Sequence, residues 1–155
     1  MQLSAYAYTN RGGRDHNEDS LRASAEQGIF VLADGLGGHR CGEVASQAAV
    51  DAIFTGMAQA EALEEASLLD LFRSANEELL RRQAQPGQEE MRTTAVALKL
   101  AGSTAVWAHI GDSRLYRFSN GELAGVTADH SVTYRKFLGG EISYMDVYHL
   151  SLIHI

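Results

Sequence analysis

The sequence predicts an α+β fold in which helices and strands occupy separate parts of the chain. Two segments with apolar residues at helical spacing, residues 42–60 and 66–83, are followed by short segments that alternate apolar and polar residues. An Asn-Gly pair at 120–121 is typical of the tight turn of a β-hairpin. Because the alternating segments follow one another directly, we expect an antiparallel meander and not parallel strands joined by crossover helices.

Two strands are expected before the helices. Residues 3–9 alternate loosely and are rich in aromatic and small residues, which favours a strand. Residues 28–33, GIFVLA, form a compact β-rich run that we expect to be buried on both faces of a sheet. Residues 16–24 fit either a short strand or an extended loop.

Each predicted helix has an apolar stripe. Glu43 lies near the N-terminus of the first helix, where negative charge is favourable, and Ser67 is expected to cap the second, whose last turn holds arginines. The stripe of the first helix comprises Val44, Ala48, Ala52 or Ile53, and Met57. The stripe of the second comprises Leu68, Leu69, Phe72, Ala75, Leu79 and Leu80. Strands are then expected at residues 93–100, 104–110, 114–118 and 123–126.

Composition limits the classes of function. The chain has 155 residues with 45% hydrophobic content, enough for one domain or part of one. Its net charge of −7 argues against a general binder of nucleic acid or of anionic membranes, since both need a basic face. The single cysteine, Cys41, fits a reducing cytoplasm and a space-filling role. We see no signal peptide and no apolar run near the roughly 20 residues of a membrane helix.

Acidic residues cluster where regular elements end. The clusters are RDHNED at 14–19, DG at 34–35, GDSR at 111–114 and TADHS at 127–131. The glycines after Asp34 match neither a phosphate-binding P-loop nor a dinucleotide fingerprint. A carboxylate there suits a hard divalent cation that bridges to phosphate, and Gly35 would let its own carbonyl approach that cation. Each cluster taken alone is equally well explained as an ordinary turn or solvated loop.

Taken in order, the clusters and the segments between them resemble one family. The segments are RDHNED, FVLADGLGGH, GEVAS, MRTTAVAL, WAHIGDSRLY and TADHS, and the resemblance extends over about residues 5–149. They resemble the protein phosphatase 2C family, the metal-dependent serine/threonine phosphatases, in its bacterial form. The resemblance implies an αββα sandwich, in which two antiparallel sheets pack face to face with helices on both outer faces.

The resemblance also implies two Mg²⁺ or Mn²⁺ ions in a cleft at one end of the sandwich. Asp34 would bridge both ions, and Gly35 would offer its carbonyl to the second. Glu18 would reach that second ion mostly through water, with Asp19 supporting it. Phosphoserine or phosphothreonine would be hydrolysed by a metal-activated water, without a phosphoenzyme.

Other positions have implied roles outside the two-metal core. Arg14 would bind the substrate phosphate, and Asp112 would contribute to a weaker third metal site. Asp129 and His130 match a segment to which we assign a structural role. Leu36 stands where some members have a histidine proposed as the general acid, so the leaving group would be protonated from elsewhere.

The resemblance implies a domain that continues beyond this chain. Residues 1–149 would form the N-terminal two-thirds of a phosphatase domain whose remainder carries two further metal-binding aspartates, one in an Asp-Gly and one in an Asp-Asn pair. Residues 150–155, LSLIHI, fit nothing before them. These six residues are a direct translation of a nucleotide sequence that resembles the end of a transposon used to fragment DNA for sequencing. We therefore expect a non-native tail.

Three functions are considered at this level, and we favour the first for the parent gene and the second for this polypeptide in isolation. The first is a cytoplasmic phosphatase that acts on phosphorylated Ser/Thr proteins, either a cognate kinase or the substrates of that kinase. The second is a catalytically silent fragment or pseudophosphatase that binds a metal or a phosphopeptide without turnover. The third is a nucleotide-binding α/β domain, which the meander after Thr93 and the acid before the glycines disfavour.

The genomic locus tests the expected continuation. We expect that resequencing past the codon of His149 extends the reading frame into an Asp-Gly and then an Asp-Asn pair, because these complete the first metal site. A frame that ends after Ile155 in an independent clone would contradict this and favour the silent fragment.

Overall fold

The computed structural model describes residues 3–37, 41–60 and 65–140. The chain divides into two compact units, residues 1–109 and 110–155. The first contains β1 (Asp19–Ser24), β2 (Ile29–Leu36), α1 (Cys41–Gln59), α2 (Glu65–Gln83), β3 (Arg92–Thr93), β4 (Ala95–Ala101) and β5 (Thr104–Ile110, whose last residue begins the second unit). The second contains β6 (Tyr116–Ser119), β7 (Glu122–Val126) and α3 (Val132–Leu138).

The sheet of the first unit has the strand order β1-β2-β4-β5, with the short β3 also paired to β2. β2 is antiparallel to β1, β3 and β4. In its register Asp34 faces Asp19 on β1, and Ile29 faces Lys99 on β4. β4 and β5 are neighbours in this sheet, but β6 and β7 form a second sheet, so the continuous meander expected over residues 93–126 is divided between two sheets. Residues 16–24, for which two conformations were open, contain the edge strand β1.

The core of the first unit lies between the helices and one face of this sheet. Its buried members are Ile29, Val31, Ala33, Val50, Ile53, Phe54, Met57, Leu68, Ala75, Ala95 and Ala97. Along β2 burial alternates, and Leu32 on the other face is 38% exposed. The prediction that residues 28–33 are buried on both faces is wrong. In the described part of this unit the helices cover one face only, which produces the alternation of a half-buried strand.

The buried face of α1 is rotated from the predicted stripe. Ile53 and Met57 are buried as expected, but Val44 is 39% exposed and Ala45 and Ala49 are buried in its place. Alanines on the inner face let the helix axis approach the strands closely. The buried stripe is therefore set by the distance between helix and sheet and not by side-chain size alone.

α2 confirms the predicted helix with two corrections. It begins at Glu65, so Ser67 lies inside the first turn and is not the N-cap. Leu68 is buried as expected, whereas Leu69 and Leu80 are 47% and 54% exposed. The helix packs on α1 through a narrower stripe than its leucines suggest, because a helix on the outside of a layer buries only one side.

The last turn of α2 holds the predicted arginines. Arg81 and Arg82 both pair with Glu78, at 2.9 and 2.7 Å. The hydrogen bond from Arg82 holds the pKa of the Glu78 carboxyl below its ordinary value. Such pairs favour the helix modestly because they are near solvent.

The prediction of a strand at residues 3–9 is wrong. These residues have no regular structure, and Tyr6 and Tyr8 are 98% and 84% exposed. An alternation of apolar and polar residues specifies only which face of a strand would be buried. The strand itself forms only when a neighbouring strand supplies partners for its backbone hydrogen bonds. No strand in the described ranges pairs with this segment.

The second unit is built on the predicted hairpin. β6 and β7 pair antiparallel around Asn120 and Gly121, which both have positive φ, of 53° and 83°. These angles are those of a type I′ turn, which matches the twist of the flanking strands and explains the Asn-Gly pair. Two antiparallel sheets with helices confirm the α+β class. The expected tail at 150–155 lies outside the described residues.

The core of the first unit can be tested with a matched pair of leucine-sized truncations. Ile53→Ala should lower the free energy of unfolding by about 2–5 kcal/mol, because it leaves a cavity between α1 and the sheet. Leu69→Ala, on the exposed side of α2, should change it by about 0.5 kcal/mol or less. Urea denaturation followed by circular dichroism measures both. Equal losses would contradict the packing described here.

Candidate metal centre

Two carboxylates face each other across the first two strands. Asp19 on β1 and Asp34 on β2 are direct partners in the register, and both are exposed. The Gly35 N–H donates to the Glu18 carbonyl at 3.1 Å, which makes Asp19–Asp34 the neighbouring pair without mutual backbone hydrogen bonds. Side chains are closest in such pairs, and like charges directly opposite each other are destabilising. The arrangement is favourable when a cation lies near both.

Glu18 and Gly35 are packed tightly against the start of α1. A Cβ placed on Gly35 would lie 2.0 Å from the Gly42 carbonyl oxygen and 2.7 Å from that of Glu18. A Cβ on Gly42 would lie 2.7 Å from Oε1 of Glu18. Neither position has room for a side chain. The Glu18 carboxylate is therefore held beside the N-terminal turn of α1, where the helix dipole favours a negative charge.

The backbone of Asp34 is fixed by the threonines at the start of the meander. Its N–H donates to Oγ1 of Thr94 at 3.0 Å. Its carbonyl accepts from the Thr94 N–H at 2.9 Å and from the Thr93 hydroxyl at 3.0 Å. These bonds hold both the N–H and the carbonyl of Asp34, so the Asp34 side chain projects from a fixed point of the backbone.

Arg14 lies in the loop that leads into β1. Its Nη1 approaches Oε2 of Glu18 at 3.5 Å, a long and weak ion pair. The Arg14 side chain is 54% exposed, and the Glu18 side chain is 17% exposed. In the same loop Asn17 accepts a hydrogen bond from the Asp19 N–H at 3.1 Å, which shapes the entry to the strand. The guanidinium therefore presents donors to solvent beside the carboxylates.

The last two acidic clusters belong to the second unit. Arg114 donates from Nε and Nη2 to the two carboxylate oxygens of Asp129, both at 2.6 Å. The hydrogen bonds to Asp129 are the main reason why the pKa of the Arg114 guanidinium is raised, and a hydrogen bond to the Tyr116 hydroxyl adds to the effect. Asp129 is buried, and the N–H of His130 donates to the Gly111 carbonyl at 2.8 Å. These contacts fix the turn that carries Asp112.

The oxygen donors near β1 and β2 fit a hard divalent cation. Carboxylates, a backbone carbonyl and water are the ligands that Mg²⁺ and Mn²⁺ accept. Within residues 3–37, 41–60 and 65–140, no group of three or more His, Cys, Asp or Glu side chains converges as a complete metal cluster.

A family model for Protein phosphatase 2C matches residues 8–141. The chain belongs to this family. Among its curated relatives is the serine/threonine phosphatase Stp of Listeria monocytogenes, which is 36% identical over 148 aligned residues. The alignment covers 89% of this chain and 59% of the relative. PstP of Mycobacterium tuberculosis is 38% identical over 132 residues, with 83% of this chain and 25% of the relative covered.

Solved structures of the protein phosphatase 2C family have the same fold as this chain. A structure of the catalytic domain of PstP in complex with two manganese ions has a TM-score of 0.77 at 34% identity, with 86% of this chain and 58% of that domain's chain covered. Stp1 of Staphylococcus aureus gives 0.78 at 29% identity, with 94% and 63% covered. The chain thus spans about three-fifths of the length of these solved chains and of Stp, and a quarter of the length of full PstP. The family fold expected from the sequence is confirmed.

In the first unit the structure places Asp19 opposite Asp34, Gly35 beside Glu18, and Arg14 at 3.5 Å from Glu18, but it does not bring the three carboxylates together as one cluster. It adds residues to which the sequence had given no role, namely Asn17, Gly42, Ser46, Thr93 and Thr94. The GEVAS and MRTT segments already contained four of these. Asn17 contacts Asp19 only two residues away, but each of the others acts on the backbone or carboxylate of a residue far away in the chain, so its importance is invisible in sequence. Part of the glycine loop, residues 38–40, lies outside the described ranges.

The Arg114–Asp129 pair of the second unit can be tested with a double-mutant cycle. Arg114→Met should destabilise this protein phosphatase 2C chain more than Asp129→Asn. Asp129 is only 4% exposed and would keep an unpaired buried charge, whereas Arg114 is 35% exposed and can reach water. The coupling energy should be about 1–3 kcal/mol, measured by urea denaturation. Additive effects of the two substitutions would contradict the pairing.

Proposed function

We propose that this chain is the metal-binding part of a metal-dependent protein serine/threonine phosphatase. Asp34, Asp19 and Glu18, together with the Gly35 carbonyl, would hold Mg²⁺ or Mn²⁺. The opposed pair Asp19 and Asp34 supports this most directly, because the register places two like charges side by side on neighbouring strands. A divalent cation turns that repulsion into attraction.

The division of labour among the side chains follows from their positions. A bound cation supplies Lewis-acid chemistry and lowers the pKa of a coordinated water. Asp34 projects from a backbone fixed by Thr93 and Thr94, which suits the role of bridging two ions. Glu18 is held beside α1 with limited exposure, which suits contact with the second ion, in part through water. Asp112 would serve a weaker third site.

Arg14 is the proposed phosphate-binding residue. Its guanidinium is half-exposed next to the Glu18 carboxylate, and a guanidinium fork matches two phosphate oxygens. The long contact to Glu18 keeps it near the acidic residues without engaging all five of its N–H donors. In this role Arg14 orients the phosphate and neutralises charge that develops on its oxygens.

Substrates and partners are proposed at the level of chemical class. The relatives are named serine/threonine phosphatases, which supports phosphoserine and phosphothreonine proteins as substrates. A cognate serine/threonine kinase, or the proteins that it phosphorylates, would be the partner, in the cytoplasm. The net charge of −7 gives no support for nucleic acid as a ligand. In the described residues no helix has the length and apolar character needed to cross a membrane.

A second candidate is a module that binds a metal without turnover. The lack of a converged group of three metal-ligating side chains among the described residues favours it for this polypeptide taken alone. Such a module would bind one cation weakly and would not release phosphate. The two functions differ in turnover and not in metal binding, so both must be measured on the same preparation.

Asp34→Asn tests the proposed phosphatase. With Mn²⁺ we expect the wild-type protein, extended to the complete phosphatase domain, to release phosphate from a phosphothreonine peptide, and Asp34→Asn in the same protein to lower kcat/KM by at least about 100-fold. EDTA should abolish the wild-type reaction. Asp70→Asn, which removes an exposed acid of α2, is the matched control and should keep wild-type rates.

Two results would separate the alternatives. Mn²⁺ binding without phosphate release by the wild-type protein would favour the silent module. Phosphate release that persists in Asp34→Asn would contradict the assigned site.

A further inference from the structure

Ser46 is a buried polar residue to which the proposed chemistry assigns no role. It lies in the second turn of α1 and is 0% exposed, among the most buried side chains of the described chain. Its Oγ lies 2.6 Å from the Glu18 carbonyl oxygen, 2.9 Å from Oγ of Ser20 and 3.2 Å from the Glu43 carbonyl oxygen. A serine hydroxyl has one proton to donate and can accept as well. The shortest contact makes the Glu18 carbonyl its acceptor, and the Ser20 hydroxyl can then donate to Ser46.

The Glu18 carbonyl accepts a second hydrogen bond from the sheet. The Gly35 N–H donates to it at 3.1 Å, so this one oxygen joins α1, the start of β1 and the end of β2. Two donors use both lone pairs of the carbonyl. The peptide group of Glu18 is therefore fixed in orientation, and with it the direction in which the side chain leaves the backbone.

Gly42 acts on the carboxylate end of the same residue. It precedes Ser46 by four positions, so the two lie above one another on the same face of α1. The missing Cβ of Gly42 leaves the space in which Oε1 of Glu18 sits. One turn of α1 thus contacts Glu18 at both ends, at its carbonyl through Ser46 and at its carboxylate through Gly42.

We propose that Ser46 is a positioning residue for the candidate metal ligand Glu18, and that its hydrogen bond sets the affinity of the site for a divalent cation. This inference rests on the proposed function and deepens it. Groups that orient metal ligands commonly alter metal affinity by about 10–100-fold when removed. A serine that only anchors α1 to the sheet would alter stability and leave metal affinity unchanged.

Ser46→Ala and Val50→Ala separate these two roles. Both truncate a fully buried side chain of α1, but Val50 lies one turn further along, within the apolar core, and has no part in the proposed site. The full chain is titrated with Mn²⁺ by isothermal calorimetry, and its melting temperature is measured with and without Mn²⁺. Ser46→Cys retains the size of the side chain with a weaker donor and serves as the test should Ser46→Ala fail to fold.

We expect Ser46→Ala or Ser46→Cys to weaken Mn²⁺ binding by about 10-fold and to reduce the thermal shift caused by Mn²⁺. Val50→Ala should lower the melting temperature but keep wild-type affinity. Wild-type affinity in both Ser46 variants would overturn the inference while leaving the proposed function intact. A wild-type chain that binds no Mn²⁺ would overturn both.

Discussion

The close approach of α1 to the first two strands is the constraint on which the candidate site depends. Gly35 and Gly42 meet where a single added Cβ would collide with a backbone oxygen or with Glu18. The buried alanines on the inner face of α1, Ala45 and Ala49, continue this close contact along the helix. If the helix moved outward, Ser46 would lose the Glu18 carbonyl and the glutamate would lose its fixed direction. The close packing of α1 on the strands is therefore required both for the core and for the geometry of the candidate site.

Electrostatics explains why such a rigid frame is needed. Asp19 and Asp34 are held opposite each other by the sheet register, so two like charges lie side by side on neighbouring strands. In the absence of a cation this repulsion opposes folding, and hydrogen bonds between the backbone of Asp34 and the hydroxyls of Thr93 and Thr94 keep the end of β2 in place against it. The structure thus carries a local electrostatic cost, which the proposed cation would offset.

The second unit uses charge in the opposite way. Asp129 is buried and fully engaged by both arms of the Arg114 guanidinium, so its charge is neutralised within the fold. Nearby, the Thr127 hydroxyl accepts a hydrogen bond from the Leu115 N–H, and the His130 N–H donates to the Gly111 carbonyl. Two acidic segments that look alike in sequence thus differ in use: TADHS supports a turn, while Asp19 and Asp34 lie opposite each other on neighbouring strands.

The sequence by itself determined the α+β class, the two helices, the Asn-Gly hairpin, the family and the residues that meet near β1 and β2. These follow from local periodicity, turn chemistry and motif order, which do not depend on distant contacts. Tertiary structure alone decided which faces are buried, that residues 3–9 form no strand in the described chain, and that Ser46 and Gly42 contact Glu18. Burial depends on what covers a face, and a strand depends on a hydrogen-bonding neighbour. A side chain that positions another across more than twenty residues of sequence leaves no periodic signal.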